Sequence, residues 1–181
     1  VGSGKTIVAL LAMAQAVEAG TQAALMAPTE ILARQHAEGL QPLCKAAGLN
    51  MVCLTGRDKG KARKDITGRI ESGAADIVIG THALFQESIT FRDLGLAVID
   101  EQHRFGVHQR LNLSRKGYRA DALVMTATPI PRTLTLTLYG DMDVTILDEK
   151  PPGRKPVETR LLSLDRQEEL IARLKPQIEK G

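Results

Sequence analysis

Near the start of the chain stands Gly2-Ser3-Gly4-Lys5-Thr6, followed at once by a helix-forming run that ends at Ala19. The spacing matches the back end of a phosphate-binding loop, G-x-x-x-x-G-K-[ST]. Each residue type has a task in such a loop. Glycines let backbone amides crowd a phosphate, and a helix N-terminus adds positive potential. Lys5 reaches the β and γ phosphates, and the Thr6 hydroxyl suits Mg²⁺. Without the lysine and the threonine, the same glycines would only cap a helix. A nucleotide site also needs acid, and Leu96-Ala97-Val98-Ile99 runs into Asp100-Glu101-Gln102-His103. Ligand-binding loops of open α/β sheets lie at the C-terminal ends of strands, which is where these two carboxylates fall. Asp100 is the expected Mg²⁺ ligand and Glu101 the group that orients and polarises an attacking water. By itself this would be an acidic turn; the phosphate loop upstream gives it a chemistry.

Other groups are less specific. Thr29, Thr81, Thr126 and Thr128 set short hydroxyls beside strand ends. Such donors suit phosphate oxygens and position a strand without reading its sequence, although any one of them alone reads as a turn or cap residue. From Thr55 to Arg69 the residues Arg57, Lys59, Lys61, Arg63, Lys64 and Arg69 face only Asp58 and Asp65, six positive charges less two negative, or +4. That segment is either a solvated loop or a phosphate-facing one. Gln102 and His103 are placed to link the acidic motif to Thr126-Ala127-Thr128, with a packed neutral histidine as the competing explanation. Arg132 is placed to meet a phosphate or to cap a carboxylate. His36, His82 and His108 show no metal spacing, so no metal beyond Mg²⁺ is expected. Cys44 and Cys53 lack paired spacing and read as ordinary reduced thiols of an intracellular protein.

The elements that must hold these groups read as α/β. With 43% hydrophobic residues but only 3% aromatics and no Trp, the core is Ala, Val, Ile and Leu, which suits a parallel sheet covered by helices. The net charge of +3 is mild. Lys5–Ala19 reads as a buried helix and Gln22–Ala27 as a strand. A second helix capped by Thr29 continues to about Lys45, its line broken by Pro42. Met51–Leu54 is a strand, and a helix after the basic loop ends near Ser72 and Gly73. Ile77–Ile79, Leu96–Ile99 and Ala122–Met125 are continuous apolar runs, which implies strands buried on both faces. Leu134–Tyr139 is expected as a helix, Val144–Leu147 as a last strand, Val157–Leu162 as a strand and Arg166–Glu179 as a helix. Pro151, Pro152, Gly153 and Pro156 mark a linker. No apolar run approaches the roughly 18–20 residues that span a bilayer, and no membrane role is expected.

Four segments together resemble superfamily 2 helicases. Asp100-Glu101-Gln102-His103 has the form of their motif II, and Ala27-Pro28-Thr29-Glu30-Ile31-Leu32-Ala33-Arg34-Gln35-His36 resembles motif Ia. Gly80-Thr81-His82-Ala83-Leu84 resembles motif Ib, and Thr126-Ala127-Thr128-Pro129-Ile130-Pro131-Arg132-Thr133 motif III. Within the superfamily, Asp100 to Val107, the basic stretch Leu54 to Arg63, and the tail from Tyr139 through Pro156 resemble the RecG family of DNA helicases. The Mfd family, the nearest alternative, has Glu at Gln102 and Lys at Ala83. DEAD-box RNA helicases have Ala-Asp in place of Gln102-His103.

The resemblance implies a RecA-like P-loop lobe, a central and mostly parallel sheet with helices on both faces, spanning residues 1–148. It implies a linker at 149–156 and the start of a second lobe at 157–181. It further implies an ATP-dependent, Mg²⁺-requiring DNA helicase, a cytoplasmic and monomeric motor that remodels branched duplex DNA in repair and recombination. Gly2, Ser3, Gly4, Lys5 and Thr6 would hold the nucleotide, with Asp100, Glu101 and His103 catalytic. Pro28, Thr29, Arg57, Lys59, Lys61, Arg63, Thr81, His82 and Arg132 would face DNA. Gln102, His103, Thr126 and Thr128 would couple the two sites. Val1 opens inside the phosphate loop, so the chain is expected to be part of a longer one, and to hydrolyse ATP negligibly without the arginines of a second lobe.

Overall fold

The computed structural model describes residues 3–86, 88–100, 120–127, 143–148, 159 and 161–179. The chain divides into two compact units, Val1–Glu149 and Lys150–Gly181.

The first unit is a parallel α/β sheet, as the continuous apolar runs imply. Five strands, β1 (Gln22–Met26), β2 (Met51–Leu54), β3 (Ile77–Gly80), β4 (Leu94–Asp100) and β5 (Asp121–Met125), lie in the order β2-β3-β1-β4-β5. Each neighbouring pair is parallel. Every residue of β1 and β3 is buried, because helices cover both faces. One face packs α1 (Lys5–Glu18) and α2 (Glu30–Ala46) over Ala23, Leu25, Ile77, Ile79, Leu96 and Val98. The other packs α3 (Gly60–Ser72) and the segment with Leu84, Ile89 and Phe91 over Ala24, Met26, Leu54, Val78, Ala97 and Ile99.

The register aligns the strand ends. Met26 stands opposite both Gly80 and Ile99, Leu54 opposite Gly80, and Asp100 opposite Met125. The loops beginning at Ala27, Thr55, Thr81 and Thr126 therefore leave the sheet along one edge. Parallel strands require return helices, so α1 and α2 run antiparallel to the strands they precede. The 14 residues of α1, about 21 Å long, carry its N-terminus back to that same edge.

At the opposite edge, Gln22 is buried with both ends of its amide engaged. Its Nε2 donates to the carbonyls of Ile70 (3.0 Å) and Ala75 (2.7 Å). Its Oε1 accepts from the backbone N–H groups of Arg92 (2.9 Å) and Asp93 (3.2 Å). One side chain thus ties the end of α3 and the entries to β3 and β4 onto β1. Just beyond, the β1–β4 register slips by a residue at Gln22/Ala23, so that Gly95 is left without an opposite number. A Cβ at position 95 would collide with the Thr21 side chain, which restricts this bulge to glycine.

Several expectations are corrected. Pro42 sits inside α2, which continues unbroken to Ala46; a helix packed on a sheet tolerates the lost hydrogen bond at an exposed position. Lys61, Arg63 and Lys64 belong to α3 and not to a loop. The helix α1 is buried on one side only: Ile7 and Val8 are each 47% exposed and Leu11 65%. A charge-free helix is not thereby surrounded, because in this unit α1 has the sheet beneath one stripe. Val144–Leu147 forms no strand; Val144, Ile146 and Leu147 are exposed and none pairs with a described residue. An apolar run needs a partner edge before it becomes a strand. Leu134–Tyr139 lies outside the described residues.

In the second unit a 3-10 turn, Leu164–Arg166, leads into α4 (Gln167–Glu179). Glu169 accepts from both Arg166 (2.7 Å) and Arg173 (2.8 Å). The described residues 159, 161 and 162 are not in a strand.

Gln22→Leu would strip partners from buried backbone groups on three elements. The expected loss is about 2–4 kcal/mol of unfolding free energy in chemical denaturation; a change below about 0.5 kcal/mol would remove Gln22 as the anchor of the β4 register.

Candidate nucleotide and nucleic-acid sites

Gly4 heads α1 in the left-handed region (φ 83), a conformation that glycine adopts without strain. Its carbonyl accepts from the N–H groups of Ile7 (2.9 Å) and Val8 (3.2 Å), while the first amides of α1 have no intrahelical acceptor. Among the described residues nothing stands within 4 Å of a Cβ built on Gly4. Lys5 and Thr6 are half-buried, and Lys5 makes no ion pair with a described residue. The arrangement is that of an anion cradle: free amides, a helix dipole and an uncommitted ammonium group.

Asp100 ends β4 at the same edge. Leu96 and Val98 face α1 and α2, and by alternation so does Asp100. There its Oδ2 lies 2.8 Å from Nε2 of His36, with the side chains 14% and 12% exposed in the order His36, Asp100. His36 has no metal spacing in sequence, and its partnership becomes visible only in three dimensions. The available signal is positional: Ala33, Leu40 and Cys44 are the buried stripe of α2, and His36 falls on that stripe at i+3 from Ala33. Oδ1 of Asp100 accepts no hydrogen bond from a described residue.

A second cluster forms a short distance along the edge. The loops after β1, β2 and β3 enclose a groove of about 320 Å³ lined by Pro28, Thr29, Gly56, Arg63, Thr81 and His82, among others. Five residues expected to face DNA, namely Pro28, Thr29, Arg63, Thr81 and His82, are therefore brought together. Thr81 is 5% exposed, and its hydroxyl has no hydrogen-bond partner among the described residues, caps included. A buried hydroxyl of this kind on a groove wall has hydrogen-bonding capacity left for an oxygen that enters the groove. Lys59 and Lys61 are exposed where α3 begins.

Other members have partners already. Thr29 caps α2, its Oγ1 accepting from the Leu32 N–H at 3.3 Å. Arg57 bonds Glu30 at 3.1 Å, with side chains 75% and 32% exposed, a pair worth no more than about 1 kcal/mol. The basic loop is shaped by Asp58, whose Oδ2 accepts from the Thr55 N–H (2.7 Å) and hydroxyl (3.0 Å). Arg34 donates to the same hydroxyl at 3.3 Å. Thr126 leaves β5 level with Asp100 and is half-buried. Gly2, Glu101, Gln102, His103, Thr128 and Arg132 lie outside the described residues.

Burial pushes the Cys44 thiol up, against a smaller lowering from a backbone hydrogen bond. Burial likewise raises Cys53, opposed by Arg34 and assisted by Asp58. Both remain protonated at neutral pH. Among the described residues no group of three or more His, Cys, Asp or Glu gathers as a metal cluster, and no helix is long and apolar enough to cross a membrane.

Thr29→Ala should cost about 0.5–2 kcal/mol of stability through the lost cap, and Thr29→Asp much less. Thermal unfolding of the two variants checks this; equal losses would show that the hydroxyl does not serve as a cap.

Comparison with known proteins agrees with the fold. The DEAD/DEAH box helicase family model matches residues 1–137. The ATP-dependent DNA helicase RecG of Haemophilus influenzae is 54% identical over 179 residues, 97% of this chain and 26% of that protein. RecG of Bacillus subtilis is 48% identical over 181 residues, 100% of this chain and 26% of that protein. The chain thus spans about a quarter of the length of the curated relatives it matches. A structure of RecG bound to a three-way DNA junction superposes with a TM-score of 0.81 at 45% identity, covering 100% of this chain and 24% of that one. The DUF1998 helicase MrfA bound to DNA and AMPPNP shares the fold, with a TM-score of 0.60 at 24% identity over 77% of this chain and 22% of that one. By sequence and by fold, the chain belongs to the DEAD/DEAH box helicase family.

Proposed function

We propose that this chain is the first, ATP-binding motor lobe of an ATP-dependent DNA helicase that remodels branched duplex DNA, such as stalled forks and Holliday junctions, in repair and recombination. The protein would act in the bacterial cytoplasm as a monomeric motor. One observation carries the reading: a phosphate cradle, an acidic strand end and a groove with a basic rim all open on one edge of one sheet. The likeness to a RecG bound to a three-way junction supports branched DNA as the partner. The identity to RecG proteins favours this over an Mfd-type transcription-repair coupling translocase. Residues 1–148 would form the lobe, 149–156 the linker and 157–181 the start of the second lobe.

The donor set fits Mg²⁺: an uncommitted carboxylate oxygen on Asp100 and the Thr6 hydroxyl are hard ligands delivered to the same edge. When bound, the ion neutralises charge on the β and γ phosphate oxygens. The chain's own residues do the rest. The amides after Gly4 and the Lys5 ammonium grip the phosphates. Glu101 orients and polarises the water that attacks the γ phosphate. Pro28, Thr29, Arg63, Thr81 and His82 hold a DNA strand by its backbone, without sequence preference. Lys59 and Lys61 add long-range attraction. Gln102, His103, Thr126 and Thr128 relay between the two sites, and Arg132 adds a DNA contact. Arginines supplied from a second lobe are worth roughly 10³–10⁵ in rate for such chemistry, so the chain alone would bind a nucleotide and scarcely hydrolyse it.

In the intact protein, Lys5→Ala should abolish fork unwinding and leave junction binding within about twofold; retained unwinding defeats the role given to Lys5. Glu101→Gln should bind ATP and stop hydrolysis, as read by single-turnover release of phosphate. Replacing Lys59 and Lys61 together by Ala should lower the slope of log K against log salt by up to about 2. An unchanged slope would take the start of α3 out of the DNA path.

A further inference from the structure

The hydrogen bond between His36 and Asp100 has no part in the phosphate cradle or the groove, yet it joins the elements that build them. His36 occupies the stripe of α2 that otherwise carries Ala33, Leu40 and Cys44. An imidazole placed among such residues needs a polar partner. It finds Asp100 Oδ2 at 2.8 Å. An ionised carboxylate only accepts, so Nε2 carries the proton and donates. Oδ2 is thereby committed, while Oδ1 meets no described donor.

At its other end, α2 begins at the groove. Thr29 caps the helix and lines the groove together with Pro28 and Glu30. His36 stands seven positions on from Thr29, about 10 Å along a capped helix. One helix therefore connects the groove to Nε2, so a displacement of its head would reach the carboxylate that His36 holds.

We propose that His36 is a positioning residue: it holds Asp100 by Oδ2, leaves Oδ1 to the magnesium–nucleotide site, and through α2 makes that site sensitive to what occupies the groove. This rests on the reading of Asp100 as the Mg²⁺ ligand. Groups that hydrogen-bond a metal-ligating side chain change metal affinity by about 10–100-fold when removed, which sets the size of the effect.

The test titrates Mg²⁺ against binding of a fluorescent ATP analogue to the intact protein, with and without a three-way DNA junction. Wild type is compared with His36→Phe, which fills the ring's place without a donor, and His36→Gln, which keeps a donor at similar reach. His36→Asn, whose amide is too short to reach Asp100, replaces the Phe variant if that one does not fold. Asp100→Ala tests the underlying reading. The donor-less variant should need at least about tenfold more Mg²⁺ for half-saturation, and the junction should no longer alter that requirement. His36→Gln should stay within about threefold of wild type. A donor-less variant with the wild-type requirement, alongside an Asp100→Ala variant that has lost Mg²⁺ dependence, makes His36 a packing residue and overturns the proposal while Asp100 keeps its role. Asp100→Ala behaving as wild type overturns both.

Discussion

Along a β-strand, parity decides which face each side chain serves, and one slipped residue moves the whole set to the other face. In β4 that slip occurs at Gly95. Before it, Leu94 packs with the α3 face; after it, Leu96 and Val98 pack under α1 and α2. Asp100 follows the later phase and so meets His36 on the side where the phosphate cradle also lies. Had β4 paired with β1 in unbroken register, Asp100 would project toward α3, away from both. The bulge is held from two sides, by the Thr21 side chain packed where a Cβ would go and by Gln22 bonded to the strand's entry. A glycine and a glutamine at the far edge of the sheet thus set the orientation of an acid at the functional one.

With that phase set, the sheet divides its edge between two tasks. The ends of α1 and β4 form the side proposed to take the nucleotide, and the loops after β1, β2 and β3 form the groove. β1 is the central strand of the five, and the loop that follows it opens α2, so α2 has its head in the groove and its inner stripe against Asp100. The cradle and the groove thus share one frame of buried, close-packed parallel strands, which fixes their separation.

Charge plays a smaller part than its density suggests. Arg57 answers Glu30, and Arg34 and Asp58 converge on Thr55. These exposed or half-exposed pairs add little stability in water. Their effect is to shape the loop before α3, which leaves Lys59 and Lys61 extended into solvent and Arg63 in the groove wall. A summed charge of +4 therefore overstates the cationic surface that a phosphate would meet.

Local chemistry accounts for what could be read from residues in order. Continuous apolar runs mean two-sided burial, which makes β1 to β4 legible as parallel strands; β5 carries the same kind of run but is not buried on both faces, with Ala122 exposed and Leu123 and Val124 only partly covered. The glycine-lysine-threonine turn and the acidic strand end are legible because each residue's task depends on its immediate neighbours. Thr29 as a cap is legible for the same reason. What depends on distant partners is not. That Val144–Leu147 pairs with no described strand, that Ile7, Val8 and Leu11 on one flank of α1 are exposed, and that Arg57 is engaged by Glu30 follow from placement. So does the His36–Asp100 bond, which spans 64 positions. Its geometry is set by the direction of α2 and the phase of β4, and neither is encoded near either residue.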